Sequence, residues 1–251
     1  MIKILPLRDL AEIVPDDDLA TLLLGALRSL AYEPRAGDVL VVTQKIVSKA
    51  EGLFVRLDDI HPGPRALELA QATKKDARFV ELVLAESTDI VRAVPGVLIT
   101  RHRSGHVMAN AGIDRSNIGP GEGDWALLLP ADADRSAAMI REALRQSWEE
   151  PPAVVISDSF GRPWRYGVVN VAIGASGMPA LIDRRGARDR DGRTLEVTQV
   201  ALADLVAAAA GLAMGEAAEG IPAAIVRGIA FDHAPRPAAA LVRPVEEDLF
   251  R

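Results

Sequence analysis

The chain has 251 residues, 49% of them hydrophobic, which is enough for one large domain or two small ones around a real core. Its net charge of −6 argues against sequence-independent nucleic-acid binding, and the absence of cysteine excludes disulfides and thiolate metal sites and fits a cytoplasmic protein. Aromatic residues make up only 4%, so Ala, Val, Leu and Ile must fill the interior.

In chain order, the apolar N-terminal run is broken by Pro6 and Arg8 and shows no signal peptide. Residues 16–18, all Asp, predict the cap of a helix whose Leu19, Leu22, Leu23, Leu27 and Leu30 recur at helical spacing. Gly37 and Asp38 predict a turn, and residues 39–42 a buried strand. Pro64 predicts a helix start, with Ala66, Leu67 and Ala70 behind it. Asp76 opens another helix, which buries Phe79, Leu82 and Val83. Residues 97–100 and 107–109 predict a hairpin turning at Ser104-Gly105, with His102 and His106 as solvated loop residues beside the turn. Residues 119–123, Gly-Pro-Gly-Glu-Gly, suit a turn better than a phosphate cradle.

A strand at 127–129 ends at Pro130, and a helix over 136–148 ends before Pro151-Pro152. The apolar strand that starts at Ala153 is expected to end where it presents Asp158 and Ser159. Gly161 and Gly167 then bracket a loop to a strand over 168–173. A strand is expected around Leu195. Thr198 caps an alanine-rich helix over 202–214, and a loop over 216–220 leads to a strand over 223–226. Residues 233–237 read as a connector to a short acidic end. The longest apolar helical stretch, 205–214, is about half of what a bilayer needs, so no membrane span is expected. Helices and strands mix without a regular βαβ rhythm. The expected class is α+β, with mixed or antiparallel sheets and packed helices, not a Rossmann sheet. No G-x-x-x-x-G-K-[ST] run exists, so no P-loop is expected.

Three segments carry chemistry. The first, V-I-S-D-S-F-G-R-P-W-R, joins a strand to a carboxylate, a hydroxyl and two arginines, the kind of strand exit where charged ligands are held. The second, N-A-G-I-D-R-S-N, offers Asn110, Asp114 and Asn117 as oxygen donors around Gly112, although a loop with Asx turns explains it as well. The third, V-V-T-Q-K-I-V-S-K-A-E-G, holds Lys45 and Lys49, two of five lysines in the chain. They suit phosphate oxygens or, like Lys74 and Lys75, a solvated basic face.

Together with F-V-E-L-V-L-A-E-S, D-R-R-G-A-R-D-R-D-G-R-T-L-E-V-T and M-G-E-A-A-E-G-I-P-A-A-I-V-R-G, these segments resemble, in order and over nearly the whole chain, the coenzyme F-420-0:L-glutamate ligase family. The resemblance implies a gamma-glutamyl-ligase-like fold in a single domain spanning 1–251, or two subdomains, with no fused flavin reductase domain. It implies a cytoplasmic homodimer that uses GTP to join L-glutamate to the deazaflavin F-420-0 through an acyl phosphate. It also implies two divalent sites for Mg²⁺ or Mn²⁺, and K⁺ as a further ion. The metal residues by resemblance are Asp114, Asp158, Ser159 and Glu216, with Asp114 and Asp158 catalytic. Nucleotide contacts fall to Leu10, Ala11, Glu12, Ile13, Gln44, Lys45, Lys49 and Asn117. Met214, Gly215, Glu216, Ala217, Ala218, Glu219, Gly220 and Ile221 complete that set. Arg162 and Arg165 are assigned to the anionic substrate or the transferring phosphoryl group. The chain departs from the family with Ser157 and Ser159 where Thr is common, and with Ala203-Asp204-Leu205 where Ala-Asp-Glu is common. Two other readings use the same motifs: a ligase with a different carboxylate acceptor, and a nucleotide-binding protein without catalysis.

Overall fold

The structure is a computed structural model that describes residues 1–119 and 123–249; the expected turn at 119–123 lies partly outside them. The strands are β1 (Lys3–Leu7), β2 (Val39–Thr43), β3 (Phe54–Arg56), β4 (Ser87–Val94), β5 (Val97–His102), β6 (Val107–Ala109), β7 (Trp125–Leu127), β8 (Ala153–Arg162), β9 (Arg165–Ser176), β10 (Leu181–Asp183), β11 (Gln199–Ala201) and β12 (Ala223–Arg227). The helices are α1 (Leu19–Ser29), α2 (Gln44–Ala50), α3 (Pro64–Thr73), α4 (Ala77–Ala85), α5 (Ala133–Arg145) and α6 (Leu202–Met214). This is a mixed α+β architecture of open sheets.

The largest sheet has the order β1-β12-β2-β8-β9. Only β2 and β8 run parallel; the other neighbours are antiparallel. Residues Val39, Leu40, Val41 and Val42 are fully buried, because β2 is central and both of its faces are covered. One face packs Leu40, Val42, Val154 and Ile156 against Leu23 and Leu27 of α1 and Ile140 and Leu144 of α5. The other packs Val39, Val41 and Val155 against Val206, Ala207 and Ala210 of α6. The small side chains of α6 let it lie close to the sheet; at Gly211 a Cβ would fall 1.8 Å from the Asn170 amide oxygen. A third cluster joins α3 and α4 to the β4-β5-β6 sheet through Leu69, Phe79, Val83 and Leu98.

Several local expectations hold. Asp18 caps α1 by accepting from the Thr21 N–H at 3.1 Å, and Asp76 caps α4 by accepting from the Arg78 N–H at 2.8 Å. Pro64 opens α3, and α6 has the expected bounds.

Others are corrected. Strand β8 does not end at Asp158 but continues to Arg162, past a register shift between Ile156 and Ser157. Cross-strand pairing with β9 carries it through the polar residues. Gly161 and Gly167 therefore lie in or beside a tight hairpin, not around a loop. Thr198 does not cap α6: strand β11 intervenes, and the cap position, Ala201, makes no side-chain bond. Leu195 lies outside the strands, β7 lies two residues earlier than expected, and α5 starts at Ala133 under an Asp132 cap that accepts from the Arg135 N–H. His102 is buried, not solvated, with Glu86 3.6 Å from its Nε2.

Strand β9 is an edge, yet much of that edge is covered. Asp204 accepts from the Ala172 N–H at 2.9 Å and Asp134 from the Ala175 N–H at 2.7 Å. Side-chain carboxylates thus take the place of a neighbouring strand. Among the described residues, no helix is long and apolar enough to cross a membrane.

Candidate functional site

Because β2 and β8 are parallel and in register from Val39↔Ala153 to Thr43↔Ser157, they deliver Gln44 and Asp158 to the same end of the sheet. Helix α2 begins at once after β2. Its first residue, Gln44, is 2% exposed; the amide donates to Asp114 Oδ2 at 2.8 Å and accepts from the Ser48 hydroxyl at 3.0 Å. Lys45 donates to the Ser116 carbonyl at 3.0 Å and lies 3.5 Å from Asp114 Oδ2. The segment 110–119 is therefore laid over the start of α2. Its backbone is unusual there: Asn110 (φ 53°), Ala111 (φ 54°) and Gly112 (φ 71°) are successive left-handed residues. Two of them are not glycine, and such strain persists where surrounding structure enforces it. Asn110 Oδ1 is buried without a hydrogen-bond partner.

Lys49, one helical turn beyond Lys45, is buried and donates to Glu12 Oε1 at 2.8 Å. A Cβ on Gly119 would sit 3.7 Å from the Lys49 ammonium, which places that loop alongside. Glu12 is exposed, Leu10 is half-buried and Ile13 belongs to the core. Asn117, also left-handed, donates to the Ala217 carbonyl at 3.3 Å and so joins this loop to the segment after α6. Met214 and Ile221 are buried at the two ends of that segment, and residues 216–220 between them are exposed. Gly215 (φ 74°, ψ −178°) has a backbone conformation that residues with a side chain rarely adopt. Glu219 accepts from the Ala217 N–H at 2.8 Å and holds the turn. Glu216 accepts from the Ser159 hydroxyl at 2.5 Å, and Asn170 donates to the same hydroxyl at 3.3 Å.

The electrostatics of the acids are unbalanced. Burial, then the charge of Asp114, pushes the Asp158 carboxyl up to about 7, against the Ser159 N–H and Lys45. Burial also raises Asp114, against Lys45 and Gln44. Two carboxylates that destabilise each other's charge in a desolvated place favour an added cation. Among the described residues, no group of three His, Asp or Glu is close enough to hold a metal ion by itself. The donors that converge — Asp114 and Asp158, with Ser159 beside them — are hard oxygen ligands. They fit the mode in which Mg²⁺ takes one or two carboxylates and completes its shell with water and phosphate.

Thus Gln44, Lys45, Asp114 and Asp158 come together, as do Glu12 with Lys49, Ser159 with Glu216, and Asn117 with Ala217. Arg162 and Arg165 face each other across the hairpin end; Arg162 is four residues past Asp158, or roughly 13 Å along the strand. Arg162 donates to the Tyr166 carbonyl at 2.9 Å. The Ser116 carbonyl and Asn170 were not foreseen. The first is backbone and carries no sequence signal, and the second follows only from the β8–β9 register.

A pair of partly desolvated acids with lysines at the exit of a parallel strand pair is a candidate site for charged ligands. The comparison with known sequences narrows this class. The model of the F420-0:Gamma-glutamyl ligase family matches residues 9–228. The chain is 48% identical over 244 residues to the coenzyme F420:L-glutamate ligase of Methanopyrus kandleri, covering 96% of this chain and 94% of that protein. It is 45% identical over 237 residues to that of Methanothermobacter thermautotrophicus, with 94% and 93% covered. It is 42% identical over 249 residues to that of Halobacterium salinarum, with 96% and 92% covered. The chain belongs to the F420-0:Gamma-glutamyl ligase family.

Proposed function

We propose that the chain ligates L-glutamate to the deazaflavin coenzyme F-420-0 at the expense of GTP. A carboxylate does not react with an amine, because resonance stabilises its carbonyl and oxide is a poor leaving group. In the proposed reaction, an acceptor carboxylate oxygen attacks the γ-phosphorus and GDP leaves. The glutamate amine then attacks the acyl carbon and inorganic phosphate leaves; the amine proton passes to solvent. What the protein must supply is positioning and neutralisation of phosphate charge.

The residues suit that task. Lys45 and Lys49 present ammonium groups to the phosphates, with Lys49 held by Glu12. Gln44 orients Asp114. The segments Leu10–Ile13 and Met214–Ile221 enclose the nucleotide; the first reaches Lys49 through Glu12, and the second reaches Asn117 through the Ala217 carbonyl. Asp114, Asp158, Ser159 and Glu216 would hold Mg²⁺ or Mn²⁺ in two sites, with K⁺ as a further ion. Such ions would supply positive charge to neutralise the phosphate oxygens. Arg162 and Arg165 reach the anionic part of the acceptor. The observation that carries the reading is the half-buried, partly desolvated Asp158–Asp114 pair, short of positive charge, beside Lys45.

A homodimer is part of the proposal. The β8–β9 hairpin end exposes Trp164, Tyr166 and Val168, and α6 exposes Leu205 and Leu212. Light scattering at micromolar concentration should give twice the chain mass, and an active monomer would contradict it. The activity itself is tested by incubating the protein with F-420-0, GTP, Mn²⁺ and L-glutamate, then measuring product mass. A gain of one or more glutamyl units that depends on GTP is expected. No gain, or a gain without nucleotide, would overturn the reading.

A further inference from the structure

A cavity of about 290 Å³ opens beside β9, between the β5–β6 turn, the start of α6 and the C-terminal segment. Drug-sized ligands occupy pockets of roughly 300–1,000 Å³, so this one suits a molecule of amino-acid size and is tight for a deazaflavin with its side chain. Its walls mix charge with apolar surface. Arg101 is 8% exposed; it donates to the Gly105 carbonyl and to Asp248, each at 3.3 Å, and its Nε is buried with no hydrogen-bond partner. Arg243 adds a second guanidinium, donating to the Glu247 carbonyl at 3.4 Å. Asp204 also lines the cavity, and its Oδ1 accepts from the Ala172 N–H. The His106 ring, with Nδ1 2.8 Å from the Ser104 hydroxyl, packs edge-on against Phe160 at 5.9 Å between centroids. Burial holds that ring down at about 4, so it is neutral near neutral pH.

Two of the lining residues are neighbours of Asp158 in the sheet. Val171 is the direct cross-strand partner of Asp158, and Phe160 is two residues along the same strand. All three side chains therefore share one face of the sheet. The lining holds two guanidiniums, Arg101 and Arg243, and two carboxylates, Asp204 and Asp248, of which Asp248 pairs with Arg101; this set matches a dicarboxylate that carries an ammonium group.

We propose that this cavity is the L-glutamate subsite: Arg101 and Arg243 pair the two carboxylates, and Asp204 receives the ammonium group. The assignment rests on the ligase reading above and adds where the incoming amino acid sits. Arg101 is the specificity-determining residue. Its planar fork meets a carboxylate with two donors, which a lysine cannot reproduce.

The test compares Michaelis constants of the full-length enzyme for L-glutamate, GTP and F-420-0. Arg101→Gln and Arg243→Gln should raise the constant for glutamate, Arg101→Gln about ten- to a hundredfold, and leave those for GTP and F-420-0 unchanged. Asp204→Asn keeps the acceptor for the Ala172 N–H. It should weaken glutamate while leaving competitive inhibition by glutarate, which has no amine, unaltered. A merely structural role for Asp204 would move both. Arg243 is exposed, so Arg243→Gln keeps the test open if Arg101→Gln fails to fold. Variants that shift F-420-0 or GTP instead of glutamate would overturn the proposal, as would equal loss of glutarate and glutamate in Asp204→Asn. If the wild-type protein shows no ligation, the ligase reading fails by itself. Calorimetry with L-glutamate in the presence of GTP then decides the cavity: binding weakened by Arg243→Gln supports it, and absent or unaltered binding overturns it.

Discussion

The two ends of the β2–β8 strand pair treat carboxylates in opposite ways. At one end Asp38, its side chain fully buried, accepts from the Tyr32 hydroxyl at 2.8 Å, the Arg35 N–H at 3.0 Å and the Arg227 guanidinium at 2.7 Å. Arg227 also lies over the Tyr32 ring, 5.3 Å from its centroid. Both carboxylate oxygens have donors, and the group fastens β12 to the start of β2. At the other end Asp158 has the Ser159 N–H and a like-charged neighbour, Asp114, and its carboxyl is pushed up to about 7. The two ends differ in exposure, Asp38 being buried and Asp158 half-buried, and they differ in partners. A fully partnered charge holds the sheet, and an under-partnered, partly desolvated one is a candidate for chemistry.

The comparison breaks if the two acids respond alike to substitution. The largest effect should be on turnover. Asp158→Asn removes the charge and keeps the shape, and should lower turnover by about a thousandfold or more; a steady-state assay near wild-type rates would refute its role. Asp114→Asn should also be severe, but high Mn²⁺ should recover part of the activity, because the amide keeps one oxygen donor. Next comes stability. Asp38→Asn leaves the half-buried Arg227 without its counter-charge and weakens the bonds from Tyr32 and Arg35, and should cost roughly 1–3 kcal/mol in urea unfolding, with turnover per folded molecule unchanged.

Smaller effects sharpen the picture of the functional end. Lys49→Met keeps the stem and removes the ammonium. It should raise the Michaelis constant for GTP about ten- to a hundredfold and leave that for glutamate alone. Lys45→Met should do less, because the Ser116 carbonyl and Asp114 already share its ammonium. Equal, small changes for both substrates would make the two lysines a basic face and nothing more.

Much of this contrast could be read from sequence, but unevenly. Strand β2 and helix α6 were legible because an unbroken aliphatic run and an alanine-rich run leave little choice of state. Asp18 and Asp76 were legible as caps. Strand β1 was not, because Pro6 argues against a strand; it is tolerated there since β1 is an edge and pairs only with β12. The continuation of β8 through Asp158 was not legible either, because cross-strand pairing, not side-chain pattern, sustains it. Gln44, Lys45, Lys49, Asp114 and Asp158 could be named from motifs. That Gln44 and Lys45 meet Asp114, 70 and 69 residues away, depends on how segment 110–119 folds over α2. The burial of His102 and the cavity at Arg101 arise where the β5–β6 turn meets Glu86 and the C-terminal segment, contacts that no local pattern announces.

The most direct test of the contrast is the unfolding free energy of wild type and Asp158→Asn, measured from pH 4 to pH 8 in chelator. The Asp158 carboxyl sits higher in the folded protein, at about 7, than in the unfolded chain, at about 3.9. Its contribution to stability is therefore fully present below pH 4 and is lost as the pH rises through 7. The asparagine variant lacks that loss. The account predicts that the two proteins are similar near pH 4 and that Asp158→Asn is the more stable by roughly 2 kcal/mol or more at pH 8, with its turnover gone. A variant less stable than wild type at pH 8, or a difference that does not change with pH, would contradict it.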